Sequence, residues 1–262
     1  MQEQKIYGSR DGAVGQIVFN NPAKLNAVSL DMWDAFVGLL QDYEKDPDVR
    51  CVVVSGAGGK AFVSGADISK FESERANAEA QVRYDAISKQ GYEGLYNFSK
   101  PTIAKITGYC IGGGMNLAAC CDMRFCNEGA RFGVPAAKLG LGYGLNRAQP
   151  LVDLIGPAYA KEMFFTGRQF DAPEAERMGL VNRVVADDAL EATIDEMTRT
   201  IAANAPLTVR CAKLVVGEAL KDVAERDVAA VERAVTACFA SADYKEGQAA
   251  FMEKRKPNFI GA

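Results

Sequence analysis

Apolar and polar residues follow two different spacings along the chain. Short runs rich in β-branched residues, bounded by Gly, Pro, Asn or Asp, predict strands at residues 15–20, 50–56, 101–108 and 122–128. Between them, helical spacing predicts one helix from an N-cap at Ser29 to about Lys45 and another from Ala76 to about Phe98. Because strands alternate with helices, we expect an α/β domain with crossover connections. Beyond Leu151 the strand signal fades, and a helical portion follows without a flexible linker.

Composition narrows the classes of partner. The 262 residues are 48% hydrophobic and carry a formal net charge of -4, without a long basic block, which argues against nucleic acid as the main partner. The first residues lack the pattern of a targeting peptide, and no apolar run approaches the roughly 18 residues of a membrane span. We therefore expect a cytoplasmic protein that does not enter a membrane.

The chemistry available to the chain is restricted by its lack of histidine. The histidine count is zero, and the 7 cysteines include no CxxC pair. This excludes Ser-His and Cys-His nucleophile systems and His-ligated metal sites, so no metal site is predicted. Cys110, Cys120 and Cys121 lie in apolar runs and are interpreted as reduced core thiols. Catalysis would have to use carboxylates, Tyr, Lys, Cys or the backbone.

Two glycine sites can present backbone N–H groups to a negative oxygen. Gly65, in "FVSGADI", would allow a bend that exposes the N–H of Ala66, and the glycines at 112–114 precede a helix-forming segment. Two such donors aimed at one point would form an oxyanion hole. The alternative is that both sites are only tight turns. "SGAGGKAF" at 55–62 does not complete a phosphate-binding loop, because the required earlier Gly and following Ser/Thr are missing.

Four segments carry a resemblance to a known family. "NNPAKLNAV" (20–28), "FVSGADI" (62–68), "KPTIAKITGYCIGGGMNLAACCD" (100–122) and "EKRKPNF" (253–259) together resemble the crotonase (enoyl-CoA hydratase/isomerase) superfamily. The resemblance implies an α/β fold, a ClpP-like spiral of ββα units in residues 1–200, followed by a helical trimerisation region in residues 201–262. It also implies an acyl-CoA substrate, with coenzyme A as the thioester carrier and no other cofactor, and assembly as a homotrimer or homohexamer.

The resemblance further implies which residues bind this ligand. The N–H groups of Ala66 and Gly113 match those that hold the thioester oxygen. A larger set matches the coenzyme A contacts: Lys24, Ala27, Ser64, Ala66, Asp67, Ile68 and Lys254. In family members the residue matching Lys254 reaches a phosphate from a neighbouring subunit, and a solvated charge in a basic tail is the alternative. Asp67 would otherwise orient the oxyanion loop.

The chain departs from the family where hydratases carry two glutamates. The matching positions are Asn116 and Ala136, so both carboxylates that would activate water are missing. Tyr143 and Asn116 are the candidate replacements, although Tyr143 would otherwise be a packed aromatic residue. Lys138, Asn146 and Arg147 lie on the same segment and are candidates to bind an anionic acyl group.

Three hypotheses follow. The first is an acyl-CoA enzyme of the hydratase/isomerase type that stabilises an enolate but does not perform two-glutamate hydration. The second is a malonyl- or methylmalonyl-CoA-type decarboxylase or another lyase, since decarboxylation needs no base. The ending of the chain and the tyrosine of "LGLGY" resemble such enzymes, but Ala66 stands where they would carry histidine. The third is a non-catalytic acyl-CoA-binding subunit.

Overall fold

Two β-sheets form the centre of the fold in a computed structural model that describes residues 4–70 and 77–262. The strands are β1 (Ile6–Asp11), β2 (Val14–Phe19), β3 (Cys51–Gly56), β4 (Ala61–Val63), β5 (Thr102–Ile106), β6 (Tyr109–Ile111), β7 (Met123–Asn127), β8 (Arg131–Gly133), β9 (Phe170–Asp171) and β10 (Arg183–Val185). The larger sheet has the order β1-β2-β3-β5-β7-β10, and the smaller has the order β4-β6-β8-β9. Neighbouring strands are parallel except for the antiparallel pairs β1–β2 and β8–β9.

Helices cover these sheets and form the C-terminal part of the chain. They are α1 (Leu30–Lys45), α2 (Ala78–Tyr96), α3 (Gly113–Cys120), α4 (Leu145–Thr166), α5 (Ala172–Arg177), α6 (Leu190–Ala203), α7 (Pro206–Leu220), α8 (Val228–Ala240) and α9 (Ala242–Glu253). Within the described residues, none of these helices is long and apolar enough to cross a membrane.

The chain repeats a unit of two strands and a helix. The first strands of the units, β3, β5 and β7, are neighbours in the larger sheet. The strands that follow them, β4, β6 and β8, are neighbours in the smaller sheet. The helices α2, α3 and α4 come after these pairs in turn. This arrangement confirms the expected spiral of ββα units. It also places the two glycine sites together, because Gly65 follows β4 and Gly112 follows β6.

The packing of α1 against α2 fixes the position of Tyr92, a residue of the candidate active site. Met32, Trp33, Phe36 and Leu40 recur at helical spacing on α1 and are buried. The Trp33 ring lies with its centroid 4.7 Å from that of Tyr92 on α2. A Cβ at Gly91 would approach Trp33 Cε3 to 2.7 Å, so glycine permits this close contact. The apolar stripe of α1 therefore sets the position of Tyr92.

The predicted long elements agree with the structure, with differences at their ends. The four predicted strands correspond to β2, β3, β5 and β7, and the predicted helix from Ser29 to Lys45 is α1. Ser29 occupies the N-cap position, but its hydroxyl donates to the Asp31 carboxylate instead of accepting from a backbone N–H. The second helix begins at Ala78 behind an Asn77 cap, whose Oδ1 accepts from the Ala80 N–H at 2.8 Å. Its predicted start at Ala76 lies outside the described residues.

The chain beyond Leu151 is mainly helical, as the periodicity predicts, and only its last helices, from Pro206 onward, contribute little to the core. Gly156, with φ 70° and ψ 168°, interrupts α4 just before Pro157. In α8, none of the side chains is buried. Several large apolar side chains of α8 and α9 are exposed instead, among them Phe239 at 61% and Phe251 at 83%. The separation into regions 1–200 and 201–262 stays a prediction.

Candidate active site

The two glycine sites meet at the junction between the sheets. Gly65 has φ 109° and Gly112 has φ 57°, conformations that side-chain-bearing residues rarely adopt. A Cβ at Gly65 would lie only 3.7 Å from the Gly113 nitrogen, which shows how closely the two loops approach. At Gly114 a Cβ would lie 2.0 Å from the Val63 carbonyl oxygen. The glycines therefore allow the start of α3 to pack directly against the chain after β4.

Two backbone N–H groups remain available at this junction. Among the described residues, neither Ala66 nor Gly113 donates its N–H to an acceptor. Two adjacent amides are occupied: Asp67, which follows Ala66, donates to the Val28 carbonyl at 2.9 Å, and Gly112, which precedes Gly113, donates to the Gly133 carbonyl at 2.8 Å. Gly113 is the first residue of α3, so the positive end of the helix dipole reinforces its N–H. The arrangement suits a developing negative charge on an oxygen.

Asn116 and Tyr143 are joined next to this junction. The Tyr143 hydroxyl donates to Asn116 Oδ1 at 2.7 Å. Asn116 lies one turn into α3 and is 3% exposed, while Tyr143 comes from the loop before α4 and packs its ring 4.9 Å from that of Phe164. Among the described residues, the Asn116 side-chain NH₂ has no hydrogen-bond acceptor. The sequence-predicted pair is therefore brought together, with one polar amide group still free.

Neither member of this pair is a base near neutral pH. Burial raises the pKa of the Tyr143 phenol well above its ordinary value, and the charge of Arg147 and the hydrogen bond to Asn116 offset only part of that rise. Asn116 does not titrate. Ala136, at the second position where the resemblance implies glutamate, is 8% exposed and has only a methyl side chain. The pair can hold a water, a carboxylate or a carbonyl by hydrogen bonds, but it does not accept a proton readily.

Tyr92 and Arg147 complete the surroundings of the pair. The Tyr92 hydroxyl donates to the Gly113 carbonyl at 3.2 Å, and the Arg147 Cζ lies 5.8 Å from the centre of the Tyr92 ring. Burial raises the pKa of Tyr92 well above its ordinary value. Sequence reasoning missed Tyr92, although Tyr84, Ser88 and Tyr92 share one face of α2 at a spacing of four residues.

Lys24 and Asp67, two of the residues predicted to contact coenzyme A, form an ion pair next to Ala66. The Lys24 ammonium donates to Asp67 Oδ2 at 2.9 Å, and Ser69 also donates to this carboxylate. Burial acts to raise the pKa of Asp67, but the hydrogen bonds from Ser69 and Lys24 outweigh it, so the pKa falls below its usual value. Lys24 is thus paired within the chain, and a ligand phosphate would compete with Asp67 for it. Asp67, 5% exposed, is placed to hold the loop that carries Ala66.

The other predicted contacts have different surroundings. Ser64 donates its backbone N–H to the Leu25 carbonyl at 3.1 Å. Ala27 is buried, with 8% exposure, and its backbone N–H donates to the Lys24 carbonyl at 3.0 Å. The side chain of Ile68 lies outside the described part of the structure. Lys254 is exposed at the end of α9 with φ 56°, and no side-chain partner for it occurs within residues 4–70 and 77–262.

The cysteines and Asp122 have structural environments. Cys110, Cys120 and Cys121 are buried, and burial raises the pKa of Cys120 to about 12, which disfavours the reactive thiolate. Asp122 accepts from the Thr102 backbone N–H at 2.7 Å and from the Lys213 ammonium at 2.8 Å, so its carboxylate has structural partners. In the described ranges, no group of three or more His, Cys, Asp or Glu residues is placed to hold a metal ion.

Comparisons with known proteins agree over the whole chain. Residues 9–262 match the enoyl-CoA hydratase/isomerase family. A short-chain-enoyl-CoA hydratase of Clostridium acetobutylicum is 34% identical over 256 residues, which cover 98% of this chain and 97% of the relative. A crotonyl-CoA hydratase of Syntrophomonas wolfei is 34% identical over 260 residues, covering 99% of each chain.

Solved structures show the same architecture. The crystal structure of an enoyl-CoA hydratase/carnithine racemase from Magnetospirillum magneticum gives a TM-score of 0.94 at 36% identity, covering 100% of this chain and 97% of that one. An enoyl-CoA hydratase from Bacillus anthracis gives a TM-score of 0.92 at 32% identity, covering 99% of this chain and 100% of that one. The chain therefore has the crotonase fold and belongs to the enoyl-CoA hydratase/isomerase family.

Proposed function

We propose that this protein is an enzyme that processes an acyl-CoA thioester through an enolate held by the N–H groups of Ala66 and Gly113. The observation that carries this proposal is the close approach of Gly65 to Gly113, beside two N–H groups that are available. Within the described residues, the N–H groups of Ala66 and Gly113 have no acceptor. Relatives named as short-chain-enoyl-CoA and crotonyl-CoA hydratases support the substrate class. Coenzyme A would enter as part of the substrate.

The chemistry follows from where charge develops. When a thioester loses a proton, gains a nucleophile at its β-carbon or loses CO₂, negative charge moves to the thioester oxygen. Fixed N–H dipoles stabilise that charge without an ionisable side chain, and removing one donor of such a pair typically costs about 10²–10³ in rate. A chain without histidine therefore retains the central element of catalysis.

The reaction would differ from ordinary two-glutamate hydration. Water must lose a proton as it adds to an enoyl thioester, and a general acid or base typically contributes about 10²–10⁴ to the rate. Asn116 and Ala136 supply no such group, and the raised pKa of Tyr143 keeps its hydroxyl protonated. We therefore expect this site to catalyse water addition to a simple enoyl-CoA less well than other enolate-forming reactions.

Decarboxylation is the second candidate, and the neutral Asn116–Tyr143 pair favours it. In this step the bond between the α-carbon and a carboxylate breaks, its electrons enter the thioester as the enolate, and CO₂ leaves. A proton from the Tyr143 hydroxyl, or from water, then reaches the α-carbon. A malonyl thioester and one proton thus yield an acetyl thioester and CO₂. No base is required for this step, because the electrons that form the enolate come from the broken bond to the carboxylate.

Assembly into a homotrimer or homohexamer belongs to the same proposal. The exposed apolar side chains of α8 and α9, including Phe239 and Phe251, support association through the C-terminal helices. Sedimentation equilibrium of the purified protein tests this directly. A monomer at micromolar concentration would overturn the assembly proposal.

Purified protein should be assayed with crotonyl-CoA, malonyl-CoA and methylmalonyl-CoA. Water addition, CO₂ release and binding without turnover give distinct products. Slow or absent hydration with turnover of another acyl-CoA supports the proposal, and CO₂ release selects the second candidate. Rapid hydration of crotonyl-CoA would contradict the importance of the missing glutamates. Binding of all three without turnover would indicate a non-catalytic acyl-CoA-binding subunit.

A further inference from the structure

The cation Arg147 lies beside two tyrosines of the candidate site, Tyr92 and Tyr143. Arg147 lies in the first turn of α4, and Tyr143 lies four residues earlier, in the loop before this helix. Its Cζ lies 5.8 Å from the Tyr92 ring centre, and the Tyr92 hydroxyl lies 3.2 Å from the Gly113 carbonyl oxygen. The charge of Arg147 also acts on both phenols, because it lowers the pKa of Tyr92 and of Tyr143 against the larger effect of burial. Arg147 therefore lies beside the tyrosine that contacts Gly113, at the proposed oxyanion hole.

The guanidinium of Arg147 is only partly used by its neighbours. One nitrogen makes two long contacts, 3.4 Å to Asp85 Oδ1 and 3.5 Å to Ser88 Oγ. Among the described residues, its other two nitrogens have no acceptor. The Asp85 side chain is 52% exposed and accepts a shorter bond from Gln81 at 2.8 Å. An exposed pair of this geometry contributes little, so Asp85 is a weak competitor for a better-placed carboxylate.

The two other candidates on this segment have different surroundings. The aliphatic part of Lys138 lies against Gly167, where an added Cβ would be 3.2 Å from Lys138 Cγ. The Asn146 side-chain oxygen lies beside Gly144, 2.9 Å from where a Cβ would be. Both residues are exposed. The structure thus selects Arg147 among the three residues that the sequence left open.

We propose that Arg147 binds a carboxylate carried by the acyl chain, so that the substrate is the coenzyme A thioester of a dicarboxylic acid. This inference rests on the proposed acyl-CoA function. The planar guanidinium presents paired donors that match a carboxylate, and the ring of Tyr92 shields one face from water. The Asn116 NH₂, which has no acceptor among the described residues, would be available to donate to a polar group of the acyl chain. Arg147 is a specificity residue in this scheme, and bond breaking occurs at the oxyanion hole.

The test compares thioesters of matched shape with and without the charge. Glutaryl-CoA is paired with 5-methylhexanoyl-CoA, and malonyl-CoA with isovaleryl-CoA, because an isopropyl group replaces the carboxylate at similar size. Affinities are measured by isothermal titration calorimetry for the wild type, Arg147→Gln and the matched control Lys138→Gln, which removes an exposed charge from the same segment.

The wild type and Lys138→Gln should prefer at least one carboxylated thioester over its neutral partner by about 10-fold or more, as expected for a charge-assisted bidentate pair. Arg147→Gln should lose this preference while it retains its affinity for the neutral thioester and for free coenzyme A. Asp85→Asn, which removes the competing carboxylate, should increase the preference. An unchanged preference in Arg147→Gln, or a wild type that prefers the neutral thioesters, would overturn the proposal.

The failure of the broader function has a separate signature. If neither the thioesters nor coenzyme A bind or raise the melting temperature of the wild type, the acyl-CoA function itself fails. If the neutral thioesters bind and only the charge preference is absent, the acyl-CoA function stands and the Arg147 inference fails.

Discussion

The Tyr143 hydroxyl and Asn116 Oδ1 form a 2.7 Å hydrogen bond at the position where the family resemblance implies the first of two glutamates. The bond links α3, which begins at the oxyanion hole, to the loop before α4. It replaces an ionisable group with a neutral pair in a largely buried setting. We expect this pair to change which reactions the site favours, while the N–H groups proposed to bind the thioester stay in place.

Restoring the two carboxylates should restore hydration. In the double variant Asn116→Glu/Ala136→Glu we expect crotonyl-CoA hydration to rise by about 10² or more, because a general acid and base would again act on water. The measurement is loss of the conjugated thioester absorbance. Asn116→Gln/Ala136→Gln is the control of equal size. If a folded double glutamate variant hydrates no faster than the glutamine variant, the missing carboxylates do not limit the reaction.

Removing the Tyr143 hydroxyl should lower the stability slightly and should lower the turnover by more than that loss of stability explains. Tyr143→Phe keeps the ring contact with Phe164 but loses one hydrogen bond, which should lower the free energy of unfolding by about 0.5–1.5 kcal/mol. Turnover of the best substrate should fall by more than the fraction of folded protein explains. Steady-state kinetics and urea unfolding measure the two effects. Tyr159→Phe, at an exposed tyrosine on α4, is the control, and equal turnover in both variants would remove Tyr143 from the mechanism.

The backbone at Gly65 should matter for rate more than for affinity. Gly65→Ala places a side chain at φ 109° and 3.7 Å from the Gly113 nitrogen, so it should displace the two donors and reduce kcat by about 10²–10³. Gly59→Ala is the matched control, since Gly59 also has a positive φ of 67° but has no atom within 4 Å of a Cβ. Both substitutions introduce strain, whereas only the first adjoins the site. A similar kcat in the two variants would exclude an oxyanion hole at this junction.

The Lys24–Asp67 pair should make stability depend on pH in the acidic range. The pKa of Asp67 is lower in the folded state than its usual value, so its contribution is complete above the unfolded pKa of about 3.9. It is lost as pH falls through the lower folded pKa. Asp67→Asn should therefore reduce stability at neutral pH and weaken the acid dependence, as measured by urea unfolding between pH 3 and pH 7. Asp153→Asn, at an exposed position on α4, serves as the control. An acid dependence identical to that of the wild type would contradict this role.

The sequence predicted the long elements better than the short ones. Strands such as β3, with five buried residues in a row, carry a strong apolar signal. The three-residue strands β4, β6 and β8 are too short to show a periodicity, and they form because the preceding strand of each unit delivers them to the second sheet. The resemblance supplied that arrangement, whereas hydrophobic spacing alone indicated only an α/β domain.

At the candidate site, sequence reasoning found residues whose role depends on the backbone or on a motif. Gly65 and Gly112 were predictable because few residue types tolerate such turns. The pairing of Lys24 with Asp67 was not predictable from spacing, because 43 residues separate them and only the fold brings them within 2.9 Å. Tyr92 was missed for a related reason: its hydroxyl reaches Gly113 from a helix whose position is set by Trp33 on α1.

The convergence of Gly65 and Gly113 has a consequence for how such a protein diversifies. The groups proposed to stabilise the enolate belong to the main chain, so they persist through any substitution that preserves the turns. Positions 116, 136, 143 and 147 can then change independently of them, each altering the acyl chain accepted or the fate of the enolate. New reactions can arise in this lineage by exchange of a few side chains around the backbone N–H groups. Mutation of those side chains does not remove the N–H groups.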